Sequence, residues 1–147
     1  MFSKILSPLD GSEPSDHALT YAMNQASKFN AELIILSVIE PTSALLYGDE
    51  AYPSLNIAEY EDAMEKSHKE VLIRAKERVK KTHPKMKTRT ILAKGHVANN
   101  IMEVAKKEDV DLIVMGSRGL TGLSGWLLGS TSRHVVEHCK KPILIVK

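Results

Sequence analysis

The run Glu32–Ile39, ELIILSVI, shows almost no alternation of apolar and polar side chains. Alternation marks a strand with one wet face; without it, the run predicts a central strand covered on both sides. Such a strand lies between helices, and its neighbours are reached by crossovers rather than by tight hairpins. The rest of the chain supplies both parts. Further strand-length segments stand at Phe2–Leu9, Met86–Ala93, Asp111–Met115 and Pro142–Val146, with helix-period segments between them. The order β-α-β, long loop and helix, then β-α-β-loop-α-β predicts an α/β fold, an open parallel five-stranded sheet with helices on both faces. One domain is expected to cover residues 1–147.

The helices carry their own boundaries. Ser12 followed by Pro14 starts the first, which runs to about Phe29 and is closed by Asn30. Ala18, Ala22, Ala26 and Phe29 form its inner face, flanked by Leu19 and Met23. The longest helix extends from about Ile57 to Thr82, with Ile57, Tyr60, Met64, Val71, Ala75 and Val79 as its apolar stripe and Pro84 as its stop. Asp62/Lys66, Glu65/Lys69, Glu70/Arg74 and Glu77/Lys81 are acid-before-base pairs, which fit a solvated face. A third helix, about Val97 to Glu108, turns Val97, Ile101, Val104 and Ala105 inward, and a fourth runs from about Gly129 to His138. Met86–Ala93 is the more polar strand and is expected near a sheet edge. Residues 40–56 have no period and are expected to form a long loop.

Charge and composition narrow the function. The 20 basic and 18 acidic side chains nearly cancel, so neither nucleic acid nor a membrane surface is an expected partner. No apolar run approaches a membrane span, and Pro8-Leu9-Asp10 cuts short the only candidate for a signal segment. The single cysteine, Cys139, cannot form an intramolecular disulfide, so a cytoplasmic protein is expected.

The chemistry concentrates after the fourth apolar run. Residues 116–132 read GSRGLTGLSGWLLGSTS, with glycines at 116, 119, 122, 125 and 129. A backbone so poor in Cβ atoms can lie directly against a ligand. The hydroxyl-rich Gly129-Ser130-Thr131-Ser132 suits a helix start, where outward-pointing amides and the helix dipole favour an anion. Phosphate is the ligand this suits best; a merely flexible glycine loop is the rival reading. In open α/β sheets ligands bind beyond the carboxyl ends of the strands, where strand order reverses. With order 3-2-1-4-5 that crevice lies between Pro8-Leu9-Asp10 and Met115-Gly116, the place the glycine chemistry selects independently.

Other residues carry weaker signals. His134 and His138, four apart and next to Cys139, have metal-ligand spacing, but no further ligand accompanies them, so a histidine pair at a helix C-terminus is preferred. His96 is read as a turn residue, and Cys139 as a small core residue. Trp126-Leu127-Leu128 is read as an apolar anchor for the glycine loop. Pro142–Val146 is an apolar strand expected at an edge, where an unpaired backbone invites association.

The chain also resembles the universal stress protein family over its full length. The matching residues are KILSPLDGSEPS at the start, LSVIE at the end of the second strand, IVMGSRG, and CKKPILIVK at the end. The most specific is Gly116-x2-Gly119-x9-Gly129-Ser130, the G-2x-G-9x-G-S/T signature of the family's ATP-binding branch. The resemblance implies a Rossmann-like sheet of order 3-2-1-4-5, a homodimer through Pro142–Val146, and ATP, ADP or AMP as ligand, with Mg2+ as a companion ion. Carried over by position, Pro8, Asp10 and the backbone of Val38 match the adenine and ribose side. Met115 and Gly116 match the floor beneath the sugar, and Arg118, Gly119, Gly129, Ser130, Thr131 and Ser132 match the phosphate side.

Turnover is not expected to be fast. Leu128 and Gly129 precede Ser130, where a Walker loop has Gly-Lys before its Ser/Thr. Asp10 is open to two readings: a group that holds Mg2+ or orients water, and a turn-forming Asp-Gly. The leading expectation is therefore a nucleotide-binding regulatory protein of the stress response, with slow or no ATP hydrolysis. The rivals are a slow hydrolase working from Asp10 and Ser130–Ser132, and an interaction module using the 40–56 loop and the edge strand.

Overall fold

A computed structural model describes residues 1–41, 56–118 and 128–147. The strands are β1 (Lys4–Pro8), β2 (Glu32–Ile39), β3 (Thr88–Lys94), β4 (Leu112–Gly116) and β5 (Ile143–Val146). The helices are α1 (Glu13–Phe29), α2 (Ile57–Thr82), α3 (Val97–Lys107) and α4 (Ser130–His138). All strand pairs are parallel, in the order β3-β2-β1-β4-β5. The expected fold class and strand order are the observed ones.

Strand alternation distributes the core between the two faces. Ile5, Leu33, Ile35, Leu112 and Val114 pack beneath α1 and α2. Leu6, Ile34, Leu36, Ile113 and Met115 pack against α3 and Val135 of α4. All eight residues of β2 are buried, as its unbroken apolar run requires. The edge strands are wetter: β3 has no buried residue, and β5 buries Val146 alone.

Element ends differ from expectation for local reasons. β1 begins at Lys4, because the amides of Ser3 and Lys4 both donate to Asp111 Oδ2, at 2.7 and 2.9 Å. That carboxylate pins the start of β1 beside β4, and the two amides hold its pKa below the usual carboxylate range. β3 runs two residues later than the expected Met86 and ends at Lys94, opposite Ile39, the last residue of β2. In α2, Val71, Ala75 and Val79 are buried as expected, whereas Ile57 is 39% exposed.

Three helices have side-chain caps. Ser12, Asn56 and His96 accept from the amides of Ser15, Glu59 and Asn99, respectively. α1 ends on Asn30 in the left-handed conformation, φ 53°. Gly129, at the start of α4, has no side chain with which to cap it.

Two positions yield stability tests. The Cβ of an alanine at Gly116 would lie 3.1 Å from the Pro14 carbonyl oxygen and 3.2 Å from that of Arg118, both backbone atoms. Gly116→Ala is expected to cost about 1–3 kcal/mol by overpacking, read as a lower urea midpoint at unchanged m. The Ser7 hydroxyl is fully buried and has no hydrogen-bond partner among the described residues. Removing an unsatisfied buried polar atom relieves its desolvation cost. Ser7→Ala is therefore expected to leave stability unchanged or raise it by up to about 1 kcal/mol in the same urea unfolding measurement.

Candidate functional site

Beyond β1 the chain turns into α1 on one face of the sheet, and beyond β4 it leads to α4 on the other. The ends of the two strands therefore part, and a crevice opens between them. A cavity of about 560 Å3 occupies this place. It brings together Pro8 and Asp10 from the end of β1, Val38 from β2, Met115 and Gly116 from β4, and Arg118 just beyond. Gly129, Ser130, Thr131 and Ser132 complete the wall from the start of α4. Gly119 lies outside the described residues, as do Gly122, Gly125, Trp126, Leu127 and most of the 40–56 loop.

The α4 end of the cavity is set by hydrogen bonds from a single peptide. The Ser117 carbonyl accepts the Gly129 N–H at 2.7 Å and the Ser132 hydroxyl at 2.9 Å, while the Ser117 N–H donates to Val146 O at 2.9 Å. Ser132, 2% exposed, thus turns its hydroxyl inward onto Ser117 and Gly129. Intrahelical bonding at this end begins with Arg133 N–H to Gly129 O, at 2.9 Å. The amides of Ser130, Thr131 and Ser132 precede that first bond, so no carbonyl within the helix receives them. With no capping side chain, the positive end of the helix faces the cavity.

At the opposite end, Asp10 Oδ1 accepts from the N–H of Ser12 at 2.9 Å and from its hydroxyl. Gly11, at φ +82°, makes this turn possible. Ser15 completes it: its Oγ accepts the Asp10 N–H at 3.4 Å and donates to Ser12 O at 2.9 Å. The turn-forming reading of Asp10 is realised, and the same residue lines the cavity.

Several lining residues were not anticipated as site residues. Glu40 follows β2, Ser15 comes from α1, and Met64 and His68 come from α2. Val97 and Ile101, expected as core, also reach the wall. The Ser37 hydroxyl lies 3.0 Å from Leu9 O and 2.7 Å from His68 Nδ1. Burial pushes the His68 pKa down, against an opposing pull from Asp10. A sequence signal for His68 did exist: it falls between Met64 and Val71 on the inward stripe of α2.

His96, His134 and His138 stand apart from this chemistry. His96 caps α3 and meets His134 edge-on, with ring centroids 5.7 Å apart. His134 and His138 stack at 4.3 Å, and His138 Nδ1 lies 2.9 Å from the His134 carbonyl oxygen. Cys139 packs against the α3-side core.

The cavity is therefore bipolar. Amides, hydroxyls and Arg118 at one end suit an anion. Asp10 and the β2 terminus at the other suit hydroxyl or amino groups, and Leu36, Val38, Met64, Ile101 and Met115 form an apolar wall.

Comparison with known proteins places this arrangement. The universal stress protein family profile matches residues 1–147. Universal stress protein YxiE of Bacillus subtilis is 38% identical over 150 residues, covering all of both chains. The solved structure of MJ0577, a universal stress protein of Methanocaldococcus jannaschii, superposes with a TM-score of 0.77 at 31% identity, covering 100% of this chain and 96% of that one. A universal stress protein crystallised in complex with cAMP superposes at 0.68 with 27% identity, covering 99% of this chain and 96% of the other. The end-to-end profile match and the shared fold lead to one conclusion: the chain belongs to the universal stress protein family.

Proposed function

We propose that this protein belongs to the ATP-binding branch of the family and binds ATP, or ADP or AMP, as a cytoplasmic regulatory module of the stress response, built as one domain over residues 1–147. The observation that carries this reading is the 560 Å3 cavity, whose wall joins Asp10 and Val38 to the uncapped start of α4. Adenine and ribose lie toward Pro8, Asp10 and Val38. The sugar lies over Met115 and Gly116, and the phosphates face Arg118, Gly119 and Gly129–Ser132. The cAMP complex of a relative 27% identical supports an adenine nucleotide as the ligand class. The residues beside the phosphate end are neutral hydroxyls and an arginine, which hold charge and do not activate water. Hydrolysis is accordingly slow or absent. Mg2+ would accompany the nucleotide as the companion ion of its phosphates.

The energetics are adequate for such a site. Micromolar affinity requires about 8 kcal/mol. Hydrogen bonds to charged phosphate contribute roughly 1.5–3 kcal/mol each, and the helix dipole at most about 2 kcal/mol. Several such bonds and burial of the base reach that range without a catalytic group.

A homodimer through β5 is part of the same proposal. Ile143, Leu144 and Ile145 are only partly buried on a strand whose outer edge has no partner among the described residues. Two-fold antiparallel pairing with a second copy removes that edge.

Two measurements test these points. Calorimetric titration with ATP is expected to give a saturable, one-per-chain isotherm, with single-turnover hydrolysis slower than about 1 s⁻¹. No heat of binding contradicts the nucleotide site, and faster turnover favours the hydrolase reading. Sedimentation at micromolar concentration is expected to show a dimer; a monomer contradicts the β5 interface.

A further inference from the structure

The Ser37–His68 pair at the cavity wall fixes a proton. A serine hydroxyl has one hydrogen to give, and the Leu9 carbonyl 3.0 Å away can only accept. Both contacts are hydrogen bonds at once only when the hydroxyl donates to Leu9 O and His68 Nδ1–H donates to Ser37 Oγ, 2.7 Å away. Ser37 is fully buried, so no solvent competes for either bond. A neutral imidazole protonated on Nδ1 carries a bare lone pair on Nε2. Nε2 has no hydrogen-bond partner among the described residues, and His68 lines the cavity. Ser37 adjoins Val38, and Asp10 acts on the ring through space, so His68 stands at the Asp10–Val38 end of the cavity.

We propose that His68 is a ligand-contacting specificity residue: its Nε2 accepts a hydrogen bond from an amino or hydroxyl group on the nucleoside part of the bound ligand, with Ser37 as the positioning residue that sets the tautomer. This rests on the nucleotide reading above and adds the group that this wall recognises. Protonation leaves the Ser37 anchor intact, because Nδ1–H still donates. It turns Nε2 from acceptor into donor and so cancels the contact to a ligand donor. Burial favours the neutral ring, which keeps the acceptor form in place near neutrality. Asp10 after β1 is the charged group that acts on the ring, and Glu40 after β2 and Arg118 after β4 are the other charged residues on the wall of the same cavity. On α2 itself, Glu65 is paired with Lys69 at 3.1 Å and with Lys94 of β3 at 3.7 Å.

The test uses adenosine, which has no phosphate charge to mask the ring, alongside ATP. In wild type, nitrogen-15 NMR of the histidines is expected to show His68 protonated on Nδ1 at about pH 7.5. His68→Phe keeps a ring of similar shape and is expected to weaken both adenosine and ATP about tenfold with an unchanged thermal midpoint. Because burial pushes the His68 pKa down, wild-type adenosine affinity is expected to hold through neutrality and to fall as the pH drops below the ordinary histidine value, and the variant is expected to lose that His68-dependent fall. Ser37→Ala retains the imidazole and is expected to shift the tautomer toward Nε2–H while weakening adenosine. An Nε2–H tautomer in wild type, or His68→Phe binding within about twofold of wild type, overturns this proposal and leaves the nucleotide site standing. Wild type that binds neither adenosine nor ATP overturns the nucleotide reading itself, and this assignment with it.

Discussion

The Ser117 peptide holds the pocket open. Its N–H is fixed to Val146 and its carbonyl takes both the amide of Gly129 and the hydroxyl of Ser132, so β4, β5 and the start of α4 meet at one residue. Without that clamp nothing would aim the first turn of α4 at the space beyond β1. The clamp also accounts for the small residues around it. A side chain at Gly116 meets the Pro14 backbone, and one at Gly129 comes within 3.3 Å of Ser117 O. These glycines serve first to let chain segments approach, and the approach creates a surface of bare backbone.

The sheet supplies the second half of the arrangement. Because β1 and β4 send their connections to opposite faces, the crevice between their ends is not filled by a connecting helix. Polar groups around the cavity are paired locally. Asp10 binds Ser12, Ser15 binds Ser12 and Asp10, and Ser37 binds Leu9 and His68. Each pairing fixes a polar group at the rim of an apolar hole. That combination of orientation with low dielectric is what a selective binding site requires.

Much of this was legible in the sequence because it is written in short-range signals. ELIILSVI has no wet face, Ser12-x-Pro14 and Asn30 bracket a helix, and PILIV ends the chain as an edge. Among the cavity-lining residues, Gly116 and Gly129–Ser132 were legible because glycines and hydroxyls gathered at a strand end expose bare amides, which suit an anion. Pro8, Asp10 and Met115 followed from the crevice where strand order reverses, and Val38 from the family resemblance. His68 was not legible. Its place between Met64 and Val71 on the stripe of α2 marks it as inward-facing but not as a site residue, and its partner Ser37 is 31 positions away. Nothing local links the two; only the crossover that lays α2 on β2 does. Ser132 shows the same limit from the other side. Position alone groups its hydroxyl with the phosphate end, yet the fold directs that hydroxyl to Ser117, leaving the amide as the group at the helix start. The end of α2 at Ile57 departs from expectation because helical period alone does not reveal where the covering core stops.

The central claim is that an anion sits on the first turn of α4 while the nucleoside reaches the ends of β1 and β2. A proton–nitrogen correlation NMR titration with ATP tests it most directly. The account predicts saturable shifts largest at the amides of Gly129–Ser132 together with those of Asp10 and Val38. Saturable shifts centred elsewhere, or none at these amides, would contradict it.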